Sequence, residues 1–199
     1  MQTAMVVPSL APELKSDLRH RLRAERMAFV RALPSSAREA MERALAAVLA
    51  PEWRRARVIG GYQPMKDEID PTVALAEAVA AGCAIALPAF VERSSPMRFH
   101  AGPATERGPW GILQPALDKP LLSPDLLLVP VVAVDRRGNR VGQGQGHYDR
   151  ALAALREAGL VRLIGIGWPL QLIDTPLTPD AWDIPLDAFA SPNGMMEFA

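Results

Sequence analysis

The chain has 199 residues, and its 22 lysines and arginines balance 22 aspartates and glutamates. That length can bury one core without disulfides or a metal, and the balance removes any global field that would draw in nucleic acid or an anionic membrane. Cys83 is the only cysteine, which excludes an internal disulfide and fits a reducing compartment.

The opening MQTAMVVPSLAPE has neither the basic start nor the apolar centre of a secretory signal, and no run approaches the roughly 18 apolar residues of a membrane span. Residues 1–12 read as a loose tail, residues 13–199 as a single domain, and the location as cytoplasmic. From Pro12 to about Leu33, Leu14, Leu18, Leu22 and Phe29 recur at helical spacing, and Pro34 ends the run. At ~100° per residue, Lys15, Arg19 and Arg26 fall within ~40° of one another, along one edge of that apolar stripe. Ser35 or Ser36 is placed to cap a second helix, which runs to about Leu49 and is closed by Pro51.

Strand and helix signals then alternate. Arg57–Tyr62 reads as a strand, Pro71–Ala81 as a helix ended by Gly82, and Cys83–Leu87 as a strand closed by Pro88, with Cys83 a buried small hydrophobe. Met97–His100 reads as a short strand. Pro124–Val134 is the longest apolar run, as suits a strand covered on both faces, and Pro130 predicts that the sheet ends or bends there. DRRGN is a turn, a helix follows over about Gly146–Glu157, Arg162–Gly167 is a strand, and the proline-rich tail reads as turns. This order predicts an α/β fold with a mainly parallel sheet.

Ligands of such sheets bind beyond the carboxyl ends of the strands. Four segments carry polar groups in such places: Met65–Asp70, the glycine loop at 142–146, Trp168–Gln171 and Asp180–Asp187. The glycine loop is the most informative. Gly142, Gly144 and Gly146 stand directly before a helix start, where backbone N–H groups and the helix dipole favour an anion. GQGQG is neither a Walker loop nor the dinucleotide fingerprint, because no GK[ST] follows and His147 occupies the third glycine position. By themselves these residues leave open a connection that binds nothing.

Five segments taken together carry a more specific signal: KSDLRHRLRAERMAF, YQPMKDEIDP, PWGILQP, PDLLLVPVVAVDRRGNRVGQGQGHYDR and PDAWDIPLD. In order and spacing they resemble the 5-formyltetrahydrofolate cyclo-ligases, or methenyltetrahydrofolate synthetases, over Lys15 to Asp187. The resemblance implies a three-layer Rossmann-like α/β sandwich of the NagB/RpiA/CoA-transferase-like type. It implies ATP- and Mg²⁺-dependent closure of 5-formyltetrahydrofolate, with or without further glutamates, to 5,10-methenyltetrahydrofolate with release of ADP and phosphate. The balanced charge and the lack of an apolar span predict no nucleic-acid or membrane partner, and the expected state is a monomer, with a weak dimer as the alternative.

Residue by residue, the resemblance places Lys15 and Arg19 on the nucleotide, with Arg26 at a further basic position. The nucleotide loop matches Arg140, Gly142, Gln143, Gly144, Gln145, Gly146, His147, Tyr148 and Arg150. Asp149 and Asp183 match the Mg²⁺ ligands, and Lys15, Asp149 and Arg150 the catalytic group. Met65, Glu68 and Trp110, joined by Gln145 and Tyr148, match the folate site. The chain departs from the common GKGYYD pattern at Gln145 and His147, which removes a cation beside the phosphates. That departure keeps a rival in view, a non-catalytic nucleotide- or folate-binding regulator on the same fold.

Overall fold

The computed structural model describes residues 15–159 and 161–198. The expected tail at 1–12 and the helix start at Pro12 lie outside the described residues. In chain order the elements are α1 (Lys15–Ala32), α2 (Ser35–Leu49), β1 (Val58–Gly60), α3 (Thr72–Ala80), β2 (Ala84–Ala89), β3 (Arg98–Ala101), β4 (Glu106–Arg107), β5 (Leu113–Gln114), β6 (Leu126–Pro130), β7 (Ala133–Asp135), β8 (Arg140–Val141), α4 (His147–Ala158), β9 (Arg162–Ile166), β10 (Leu172–Ile173), β11 (Ala188–Ser191) and β12 (Gly194–Glu197).

Seven strands form the central sheet in the order β12-β11-β9-β6-β1-β2-β3. The five inner strands are parallel, while β3 and β12 close the two edges in antiparallel pairing. The alternation of side chains along β6 decides what covers each face. Leu126 and Leu128 pack with Leu45, Leu49 and Ala78 of α2 and α3, whereas Leu127 and Val129 pack with Ala151 and Leu152 of α4. Both faces are therefore covered, as the continuous apolar run of β6 requires. A third cluster joins Leu22 of α1 to Val132, Ala133 and Val141 around the small sheet β10-β7-β8.

Several local expectations are corrected. Neither Ser35 nor Ser36 caps α2; Pro34 occupies the cap position, and no side chain caps the helix there. Pro88 does not close β2 but lies within it, opposite Phe99. It is tolerated because β1 pairs β2 only over Ala84–Ala86, so the flank beside Pro88 needs no N–H. The proline-rich tail is more than turns, since β10, β11 and β12 lie within it, and the hairpin β4–β5 also escapes sequence periodicity. Pro130 does end β6, and the chain resumes at Ala133 in the small sheet.

Asp135 fixes that small sheet beside the functional end of the fold. It is 1% exposed and accepts hydrogen bonds from Arg137 N, Asn139 N, Asn139 Nδ2 and Leu177 N at 2.8–3.0 Å. Burial works against its charge, but these donors outweigh it and hold the carboxyl below its usual range. A depressed carboxyl stabilises the fold above its unfolded value of 3.8, and that contribution is lost as pH falls through the lower folded value. All four partners are donors, so an amide would turn an N–H against one of them. Asp135→Asn should therefore cost about 2 kcal/mol near pH 7, with the gap to wild type in urea unfolding narrowing as pH falls below 3.8.

Candidate active site

A cavity of about 890 Å³ opens beyond the carboxyl ends of β1, β2 and β6, where Tyr62, Phe90 and Pro130 line it. Of the four polar segments marked in the sequence, three reach it. Trp168–Gln171 does not, because Trp168 is fully buried and Gln171 donates to the carbonyls of Val131 and Val132. That segment instead braces the cavity from behind, with Trp168 Nε1 donating to Asp67 O at 3.0 Å.

The first turns of α1 form one wall. Arg19 Nε donates to Gly142 O at 2.9 Å, which ties the helix to the glycine loop. Gly144 (φ +89°) and Gly146 (φ +66°) have left-handed backbone; a Cβ on Gly144 would sit 3.3 Å from Arg19 Cζ. Gly146 is the cap residue of α4 and offers no side chain to the first-turn N–H groups, so these remain available to an anion. Lys15 Nζ reaches Asp180 at 2.6 Å and Asp183 at 3.3 Å across the cavity mouth. Burial opposes its charge, yet the two aspartates more than offset this and raise its pKa above the ordinary lysine value.

The other basic candidates sit differently. Arg140 has a nearly buried side chain that donates to Ile184 O and pairs with Asp149. Burial lowers its pKa against the opposing pull of Asp149 and Asp183, so its charge is already engaged in orienting Asp149. Arg26 does not line the cavity. It is 4% exposed and lies 3.9 Å from Glu68 Oε1. Arg150 is exposed and also absent from the cavity wall; its Nη2 lies 3.1 Å from His147 Nδ1. Arginine can only donate, so Nδ1 accepts and the remaining proton of a neutral ring sits on Nε2.

Glu68 is not a solvated acid. It is 4% exposed on the cavity wall and accepts from Met65 N and from Gln143 Nε2, both at 2.9 Å. Nearby, Phe90, Trp110 and His147 make a triangle of tilted rings with centroids 4.6–5.0 Å apart. Burial, then the Arg150 charge, lower the His147 pKa, so the ring is neutral at physiological pH and serves as an aromatic wall. Trp110 stays 37% exposed and Met65 equally so, which gives the cavity an apolar lining beside its charged groups. Tyr148 also lines it, and burial raises its pKa, so it is a neutral phenol. Gln145 sits exposed on the rim.

Mg²⁺ takes hard oxygen ligands, commonly one or two carboxylates completed by substrate phosphates. Among the described residues no group of three or more His, Cys, Asp or Glu side chains is arranged to hold a metal. Asp149 and Asp183 both line the cavity and supply donors of the right type. They fit a cation that arrives with its phosphates, not a preassembled cage.

The 5-formyltetrahydrofolate cyclo-ligase family profile matches residues 11–192. The chain belongs to this family. Cyclo-ligases of Haemophilus influenzae and Escherichia coli K12 are 32% and 36% identical over 94 and 91 residues, about 45% and 44% of this chain. These matches span about half (49%) the length of each of those relatives. The cyclo-ligase of Mycolicibacterium smegmatis is 29% identical over 72% of this chain and 77% of its own. Among solved structures, the methenyltetrahydrofolate synthetase of Aquifex aeolicus superposes with a TM-score of 0.75 at 26% identity, covering 93% of both chains.

Sequence reasoning passed over three contributors to the cavity region. Arg23 donates to both oxygens of Gln143, at 2.7 and 2.5 Å, and its place one turn after Arg19, ~40° beyond the basic strip, was a usable signal. Trp182 and the segment Thr175–Thr178 line the mouth, brought there by the Asp135 anchor on Leu177. No local pattern in the sequence marks that long-range bond.

Proposed function

We propose that the protein closes 5-formyltetrahydrofolate to 5,10-methenyltetrahydrofolate at the expense of Mg-ATP, on a three-layer scaffold of the NagB/RpiA/CoA-transferase-like type. One observation carries the reading: the glycine loop, Lys15, Arg19 and Asp149 meet the Glu68 and Trp110 wall in a single cavity. A triphosphate needs backbone N–H groups and cations, and a reduced pterin needs an apolar slot with a carboxylate to pair its N–H edge. Both sets line the same space.

In this reading the formyl oxygen takes the γ-phosphoryl group as ADP leaves, N10 then adds to the activated carbon and gives up its proton to solvent, and phosphate departs. Lys15 and Arg19 neutralise charge on the phosphates, and the α4 amides hold them in line. Asp149, oriented by Arg140, and Asp183 would hold Mg²⁺, which neutralises phosphoryl charge when bound. Glu68 fixes the pterin ring, while Met65, Trp110 and His147 exclude water from the reacting carbon. No protein nucleophile is required, because the transfer asks for positioning and electrostatics.

The test is to mix the protein with 5-formyltetrahydrofolate and Mg-ATP and follow the methenyl product by its absorbance. Product that depends on both ATP and Mg²⁺ is the expected result. Folate binding without ATP consumption would favour the regulator instead, a reading supported by Gln145 standing on the rim where a lysine would add charge.

A further inference from the structure

We infer that the Gln143 side chain is a positioning strut that joins the phosphate-binding loop to Glu68, so that the loop's conformation sets how the folate carboxylate is held. The inference rests on the reading of the cavity as a joint nucleotide and folate site. Arg23 Nη2 donates to both Gln143 O (2.7 Å) and Gln143 Oε1 (2.5 Å), and Gln143 Nε2 donates to Glu68 Oε1 (2.9 Å). The amide orientation is dictated by chemistry: a guanidinium only donates and an ionised carboxylate only accepts, so the oxygen must face Arg23 and the nitrogen Glu68. With Met65 N on Oε2, both oxygens of Glu68 are then fixed.

Few side chains could fill this place. Glutamate would set one carboxylate against another, and an apolar residue would leave Glu68 one partner short in a nearly buried setting. The loop is held on its other flank by Arg19 at Gly142, so a chain of contacts runs from α1 through the loop to the folate wall.

The experiment measures binding of 5-formyltetrahydrofolate and of Mg-ATP separately by calorimetry, for wild type and Gln143→Met. Folate affinity should fall about tenfold, the loss expected for one hydrogen bond to a charged group, with a smaller change for ATP. Unchanged folate affinity, or equal loss for both ligands, would overturn the inference. A wild type that binds no folate would overturn the functional reading and the inference together, whereas normal wild-type binding with an unaffected variant would overturn the inference alone. A second measurement stands apart from ligand binding. Gln143→Glu should lower Tm, and Glu68→Gln should cost less Tm in that background than in wild type, because it recreates one donor and one acceptor across the gap; losses that simply add would refute the contact.

Discussion

Lys15→Met is expected to cut the rate of methenyl formation by about 10²–10³-fold at saturating folate, the range seen when one pre-placed electrostatic donor is removed from an active site. Lys15 is well suited to such a test because its structural role is small. Its side chain is 42% exposed, and its partners Asp180 and Asp183 stand in solvent-accessible positions, so the pairs add at most about 1 kcal/mol to stability. The Asp183 side chain is held independently, by Asp180 N at 2.8 Å. Thermal unfolding should therefore barely move while turnover collapses. A variant that keeps its rate would remove Lys15 from the chemistry. Asp149→Ala would be a poorer probe, since the nearly buried Arg140 would lose its counter-charge and the fold would respond as well.

The same helix illustrates what the sequence made legible. Angular spacing put Lys15, Arg19 and Arg26 on one strip, and the structure keeps all three on the side of α1 that faces the sheet ends. Angle alone omits distance along the axis. Arg26 is seven residues beyond Arg19, about two turns or ~10 Å, which carries it past the cavity to the underside of Glu68. The parallel order of strands and helices was also readable, because β6 and β9 are apolar on both faces and are bounded by clear breakers.

The elements that escaped are short. β4, β5, β8 and β10 have two residues each, too few for any period to register, and β11 is buried at all four positions and so shows no alternation. The burial of Glu68 was invisible for a related reason. In KDEID it looks like one acid among several, and only tertiary partners distinguish it: Gln143 from the glycine loop, and Arg26 from α1.

Those partners make Glu68 the second decisive position, and two substitutions there should separate its duties. Glu68→Ala removes the charge that faces Arg26, a residue 4% exposed whose guanidinium, among the described residues, otherwise reaches only Val131 O at 3.4 Å. Breaking one side of such a buried pair costs about 3–5 kcal/mol, so urea unfolding should show a large loss of stability. Glu68→Gln keeps the volume and one acceptor for Met65 N, and should fold with a smaller penalty. Its amide, however, carries no charge to pair with the pterin N–H edge and turns a donor towards Gln143. The folate KM should rise more than about tenfold, since hydrogen bonds to charged groups are worth roughly 1.5–3 kcal/mol, while kcat at saturating folate stays within a few-fold of wild type. That pattern belongs to a group that binds substrate and transition state alike. A deep fall in kcat with little change in KM would instead assign Glu68 to the phosphoryl transfer, and the division of the cavity into a charged phosphate side and a pterin-holding side would have to be redrawn.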